Sequence, residues 1–170
     1  MSWRRLTAAS VLTVAMLPLG QAAGQQQPVA ANPINGVWID DKGDGAIEIA
    51  PCGERLCGRI VWLKVPNDKV GRPLTDGYNP EAAKRKRPIC GLPVIGDLKL
   101  QQNGAWDAGW IYDPKEGRSY DVELRLRSAD RLQVTGYLGT KFLSERFVWT
   151  RAPTALPRCV VMPSGAAATL

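Results

Sequence analysis

Four cysteines and a complete absence of histidine set the chemistry open to this chain. Cys52, Cys57, Cys90 and Cys159 form an even set, and disulfides are the default state of such sets in an oxidising compartment. Three pairings are available to four cysteines. Cys52 and Cys57 flank Gly53, Glu54, Arg55 and Leu56 between two strand-like runs, so a bond across a hairpin is the expected first pair. It leaves Cys90 with Cys159, which would tie the C-terminal tail to the body. The rival reading, a metal or redox site, lacks both C-x-x-C spacing and a histidine to complete a mixed ligand set. No metal and no cofactor are expected. The missing histidine also excludes Ser-His-Asp and Cys-His catalysis. Neither a G-x-S-x-G elbow nor a phosphate-binding glycine loop is present. Carboxylates are the catalytic groups that remain. Asp40, Asp41 and Asp44 cluster, but beside Gly43 and Gly45 they read as a solvated hairpin turn, without the length or terminal glutamate of an EF-hand loop. The expectation is a protein that is not an enzyme, the alternative being Asp68 and Asp76 turned into one pocket.

The N-terminus supplies the compartment that the cysteines require. Arg4 and Arg5 precede an uncharged, mostly apolar run over residues 6–19, and small residues Ala22 and Gly24 follow. This is the pattern of a secretory signal peptide over residues 1–24, with a run too short to span a bilayer. Residues 25–33 read as a polar lead-in, residues 34–152 as one domain, and residues 153–170 as a tail tethered through Cys159. A periplasmic or secreted address is expected. Without Arg4 and Arg5 the chain keeps 20 basic against 16 acidic residues. That excess favours acidic partners, an anionic membrane surface among them, without specifying one. It is small for nucleic acid, which the compartment also disfavours. No later segment is long and apolar enough to cross a bilayer.

From Gly36 onward the apolar pattern is short and alternating, with turn residues between the runs, as strands require. Val37, Trp38 and Ile39 form the first run, and Ile47 and Ile49 share a face in the second. Ile60, Val61, Trp62 and Leu63 lie in the third. Trp106, Trp110 and Tyr112 stand at even spacing, which places all three on one face. Tyr120, Val122, Leu124 and Leu126 give the cleanest alternation, and residues 132–138 and 147–149 carry the last strands. A further strand is expected near Val94 or Leu98. Strands this close together make an antiparallel meander. About eight of them would manage their edges by closing into an up-and-down barrel, so the fold class expected is all-β. One helical piece is expected inside the long connection over residues 65–91, capped by Asn79 and begun by Pro80 and Glu81.

Gly36 and Trp38 open the first strand and Arg151 closes the last, so a barrel would bring Trp38 and Arg151 together as a cation–π pair sealing one end. Such a Gly-x-Trp meeting a late arginine resembles the signature of lipocalins and their calycin relatives. A closer resemblance rests on many elements in order. These are Pro51-Cys52-Gly53, Leu56-Cys57-Gly58, Ile60-Val61-Trp62-Leu63, Asp68-Lys69, Gly71, Pro73, Asp76, Asn79-Pro80, Arg87-Pro88 and Gly91-Leu92 in the first half. Trp106, Gly109, Ile111-Tyr112-Asp113-Pro114, Gly117, Tyr120 and Trp149-Thr150-Arg151 complete the pattern. This resembles the bacterial family called domain of unknown function 2147, whose members are exported and have a lipocalin-like barrel. The resemblance implies fold and address but no activity. Cys159 lies outside its pattern.

Two functions remain open. Trp62, Trp106, Trp110, Tyr112, Tyr120, Tyr137 and Phe147 can line a calyx for a small apolar or amphipathic ligand, with Lys84, Arg85, Lys86 and Arg87 as an anion-recognising edge at its mouth. The same aromatics can instead fill a solid core, and the basic run can be a solvated face. Asp68, Asp76 and Asn79 then serve to hold the long loop through backbone hydrogen bonds. In that case the protein is a structural or interaction domain of the cell envelope, with another envelope protein as partner.

Overall fold

The computed structural model describes residues 32–159. The signal peptide, most of the lead-in and the end of the tail lie outside them. Eight strands follow one another: β1 (Gly36–Ile39), β2 (Gly45–Cys52), β3 (Arg55–Leu63), β4 (Pro93–Leu100), β5 (Trp106–Asp113), β6 (Arg118–Ser128), β7 (Arg131–Leu138) and β8 (Thr140–Arg151). Each pairs antiparallel with the next, and β1 pairs with β8 through Trp38 opposite Arg151, which closes the barrel. Closure satisfies the backbone groups that an open edge strand would expose.

The lumen is filled. Trp38, Ile49, Leu56, Ile95, Leu98, Val122, Leu124, Leu132 and Val134 are all buried and belong to a single apolar cluster. Alternation along β6 puts Val122 and Leu124 inside, each a core side chain worth roughly 1.5–3 kcal/mol of burial. At the closing end the Arg151 guanidinium lies 4.1 Å from the centroid of the Trp38 ring. It also donates to the carbonyls of Ala129, Asn35 and Pro33. The Trp38 indole N–H is satisfied by Ile34 O at 2.8 Å. Gly36 has φ of 124°, and a Cβ there would stand 2.9 Å from Arg151 Nη1, so the backbone needs glycine at this point.

Two sequence expectations are corrected. The helix expected after Asn79 is a single 3₁₀ turn, Ala82–Lys84, whose capping position is Glu81. Asn79 still contributes, because its Oδ1 accepts the Glu81 N–H at 2.9 Å. The run from Ala82 to Pro88 is too short to repay helix nucleation. The second correction concerns the face of β5. A bulge lies between Trp106 and Gly109, where Ala108 takes φ of 58°. The facing strand answers it, with Asp97 at φ of 59°. One extra residue reverses the alternation. Trp106 stands opposite the inward Leu124 and Gly109 opposite the inward Val122, while Trp110 pairs with Asp121 and Tyr112 with Ser119 on the alternate side, the Tyr112 ring still packing against the edge of the core cluster.

Both disulfides are formed, Cys52–Cys57 across the β2–β3 turn and Cys90–Cys159 from the long loop to the tail. The tail is further held by Cys159 N–H on Val61 O and by Arg158 on Glu48. Two disulfides suit an oxidising, extracellular environment. Among the described residues no helix is long and apolar enough to cross a membrane.

Candidate functional site

The connection between β3 and β4, residues 64–92, is not a free loop. It is tied to Tyr112 of β5, to the β5–β6 turn, to Ile60 of β3 and, through Cys90–Cys159, to the tail. Its apolar residues Ile89 and Leu92 are buried in the core cluster and Leu74 packs against it. Its own backbone is cross-braced, with Asp76 N–H on Arg87 O and Ile89 N–H on Leu74 O, each at 2.9 Å. Gly117, in the β5–β6 turn at φ of 69°, admits the loop backbone so closely that a Cβ there would stand 2.0 Å from Tyr78 O.

A buried carboxylate makes the central tie. Asp76 has no exposed surface. Its Oδ1 accepts the Tyr112 hydroxyl at 2.6 Å, and its Oδ2 accepts Asn79 Nδ2 at 2.8 Å and Arg87 Nη2 at 2.7 Å. Burial pushes the Asp76 pKa upward, but the hydrogen bonds from Tyr112, Arg87 and Asn79 outweigh it and hold the carboxyl below its ordinary range. The Tyr112 phenol moves the other way, raised by its burial and by the hydrogen bond to Asp76. Asp68 has the local role expected of it, accepting the N–H groups of Val70 and Arg72 and pairing with Arg72 Nε at 2.9 Å.

Where the braced loop meets the wall there is a cleft of about 350 Å³. Lys84 and Arg87 enter it from the loop and Trp110 and Tyr112 from β5, with Pro80, Glu81, Pro93 and Ser119 around them. Trp110 is positioned by Gly96 on the neighbouring strand, where a Cβ would come within 2.5 Å of the indole ring. Its Nε1 donates to Asp97 Oδ2 at 3.1 Å. Lys84 pairs with Glu81. The cleft thus brings Trp110 and Tyr112 beside two cations, Lys84 and Arg87, each already paired with a carboxylate, Glu81 and Asp76.

Four of the eight ligand residues expected from the sequence therefore meet, but outside the barrel. The other four do not join them. Arg85 turns back to donate to Asn79 O at 2.7 Å. Trp106 packs against the core from within the barrel. Tyr120 bonds Glu116 at the β5–β6 turn beneath Arg118. Trp62 is half-buried opposite Ala46 at a bulge. A second, smaller cleft of about 270 Å³ lies beneath the tail, lined by Val61, Pro153 and Leu156.

One polar cluster escaped the sequence reading. On the outer wall Lys141 bridges Asp107 and Glu123, and the Tyr137 hydroxyl donates to Asp107 at 2.7 Å. Burial and that bond push the Tyr137 phenol up to about 12. Its members come from four strands, so no local spacing could have announced it. Glu81, Ser119 and Pro93 in the cleft were equally silent.

A closed, eight-stranded antiparallel barrel with its ends joined by Trp38 and Arg151 defines a lipocalin-like protein. The particular family is shown by its model: the chain belongs, over residues 36–151, to the uncharacterized proteins conserved in bacteria grouped as DUF2147. A solved structure, a protein of the human pathogen Helicobacter pylori described as belonging to the lipocalin family, is similar at 19% identity with a TM-score of 0.60. The alignment covers 71% of this chain and 83% of that one, and the likeness is one of fold. No curated protein matches the chain.

Proposed function

We infer that the protein is a non-enzymatic binding module of the periplasm whose ligand occupies the wall cleft. The ligand is small and amphipathic, with a flat apolar part against Trp110 and Tyr112 and an anionic group toward Lys84 and Arg87. The observation that carries this reading is the convergence of those four side chains in one cleft beside a filled barrel. The lipocalin-like fold supports ligand binding in general, and the signal-like N-terminus with two disulfides supports the address.

Titration with anilinonaphthalene sulfonate, a fused-ring anion, tests the site. The probe binds saturably, and Lys84→Ala and Trp110→Ala each weaken it about tenfold, in line with roughly 1.5 kcal/mol for a charge-assisted contact or an aromatic pair. Lys84→Ala leaves stability nearly unchanged, because its pairing with Glu81 is solvent-exposed. Equal binding by wild type and both variants would sink the cleft as the site. Exposed apolar residues at the rim favour a second role, in surface docking.

A further inference from the structure

In an up-and-down barrel the connections alternate between two ends. The β1–β2, β3–β4, β5–β6 and β7–β8 connections lie at one end, and the remaining turns and the Trp38–Arg151 seal lie at the other. Of the eight large apolar side chains left in water among the described residues, six belong to connections at the first end, Leu100 borders the β4–β5 turn at the other, and Val148 stands along β8. Val65, Val70 and Tyr78 of the long loop and Leu138, Phe142 and Leu143 of the β7–β8 hairpin are all exposed, and all belong to the first end. Phe142 is fully exposed and Leu143 is 74% exposed. They sit in a wide bulge, since Leu138 pairs with Thr140 but Tyr137 with Ser144, which pushes residues 141–143 out of the ladder. The β3–β4 and β7–β8 connections are rooted four strands apart in the ring and share this end of the barrel.

Charge is divided as unequally. Residues 64–92 contain seven basic and three acidic residues, an excess of four. Outside that loop, and apart from Arg4 and Arg5, basic and acidic residues cancel. The whole positive surplus thus lies on the connection that also carries Val65, Val70 and Tyr78. Lys64, Lys69 and Lys86 form no ion pair among the described residues. A closed barrel has no free edge to offer a partner strand. Its docking chemistry at this end is therefore side-chain chemistry: protruding apolar tips with cations beside them, the combination that partitions into the boundary of an anionic bilayer.

We propose that this end is a membrane-docking rim, in which Phe142, Leu143 and the apolar residues of the long loop insert at the interface of an anionic lipid surface while the loop's cations meet the headgroups. The wall cleft is not needed for it, and either reading can fail alone. Flotation of the purified protein with vesicles tests the rim. The protein floats with vesicles containing phosphatidylglycerol and stays behind with pure phosphatidylcholine, and added salt weakens the binding. Phe142→Ser with Leu143→Ser lowers the partition at least about tenfold, as expected for two large apolar side chains. Lys64→Glu with Lys69→Glu lowers it separately. Both pairs are exposed, so circular dichroism stays native and anilinonaphthalene sulfonate binding at the cleft is kept. Failure of wild type to float with anionic vesicles, or undiminished flotation of the Phe142/Leu143 variant, overturns the proposal. So does a concentration-dependent dimer that this variant dissolves without any lipid binding, which would assign the rim to a second copy.

Discussion

The lumen of the barrel and the loop on its outer wall are both buried contacts, yet opposite forces hold them. In the lumen Trp38, Leu98, Val122, Leu124 and Leu132 have no exposed surface, and their cohesion is non-directional burial of apolar area. On the wall the equally buried Asp76 is held by three directed hydrogen bonds from Tyr112, Asn79 and Arg87. A filled lumen leaves little room for a ligand, so the polar joint, where loop and wall meet imperfectly, becomes the place with space and charge. The proposal of a ligand site outside the barrel rests on this contrast.

The largest effect should come from the lumen. Trp38→Ala removes a fully buried indole and the aromatic face beneath Arg151, and should cost roughly 3–5 kcal/mol in urea unfolding. A cost as small as that of an exposed site would show the lumen to be looser than its packing indicates. The disulfides rank next. Cys90–Cys159 spans 69 residues and Cys52–Cys57 spans five. Loop-closure entropy therefore gives roughly 4 kcal/mol for the first and about 2 kcal/mol for the second. Paired Cys→Ala variants compared by thermal and urea unfolding check the ranking, and the reverse order would mean that the tail contributes no constraint.

The wall joint should respond locally. Asp76→Ala leaves Tyr112, Asn79 and Arg87 without their acceptor. Because Arg87 is 41% exposed, the cost is roughly 2 kcal/mol rather than that of a fully buried pair. Hydrogen exchange should quicken in residues 74–89 while the strands stay protected, and exchange spread evenly over the barrel would count against a separate joint. Acid offers the same test without mutation. The folded pKa of Asp76 is lowered, so its stabilisation is fully present above the ordinary value near 3.8 and is lost as pH falls through the folded pKa. Loop protection should drop in that acid range in the wild type and drop less in Asp76→Asn, where Asp68, also held below its ordinary range by its bonds to Arg72 and Val70, still titrates.

Much of the barrel was legible because strand alternation reports inside from outside when one face is packed. The run Tyr120, Val122, Leu124, Leu126 and the pairing of Trp38 with Arg151 were both readable from spacing. The face of Trp110 was not. Its even spacing from Trp106 placed them together, and only the bulge at Ala108, matched by Asp97 across the ladder, turns Trp110 and Tyr112 outward. That single extra residue moved the candidate site from the lumen to the wall. Lys84, Arg85 and Arg87 stood out by their charge, but their separate partners, Glu81, the Asn79 carbonyl and Asp76, did not.

The sequence by itself determined the closed β meander, the hairpin disulfide and the seal of Gly36, Trp38 and Arg151, because these follow from local alternation, turn chemistry and the adjacency of first and last strands. Tertiary structure alone decided that the lumen is full, that Asp76 is buried among Tyr112, Asn79 and Arg87, and that Phe142 stands in water. Each depends on how strands and loops distant in sequence are placed against one another, and a residue's own neighbours along the chain carry no record of what packs over it.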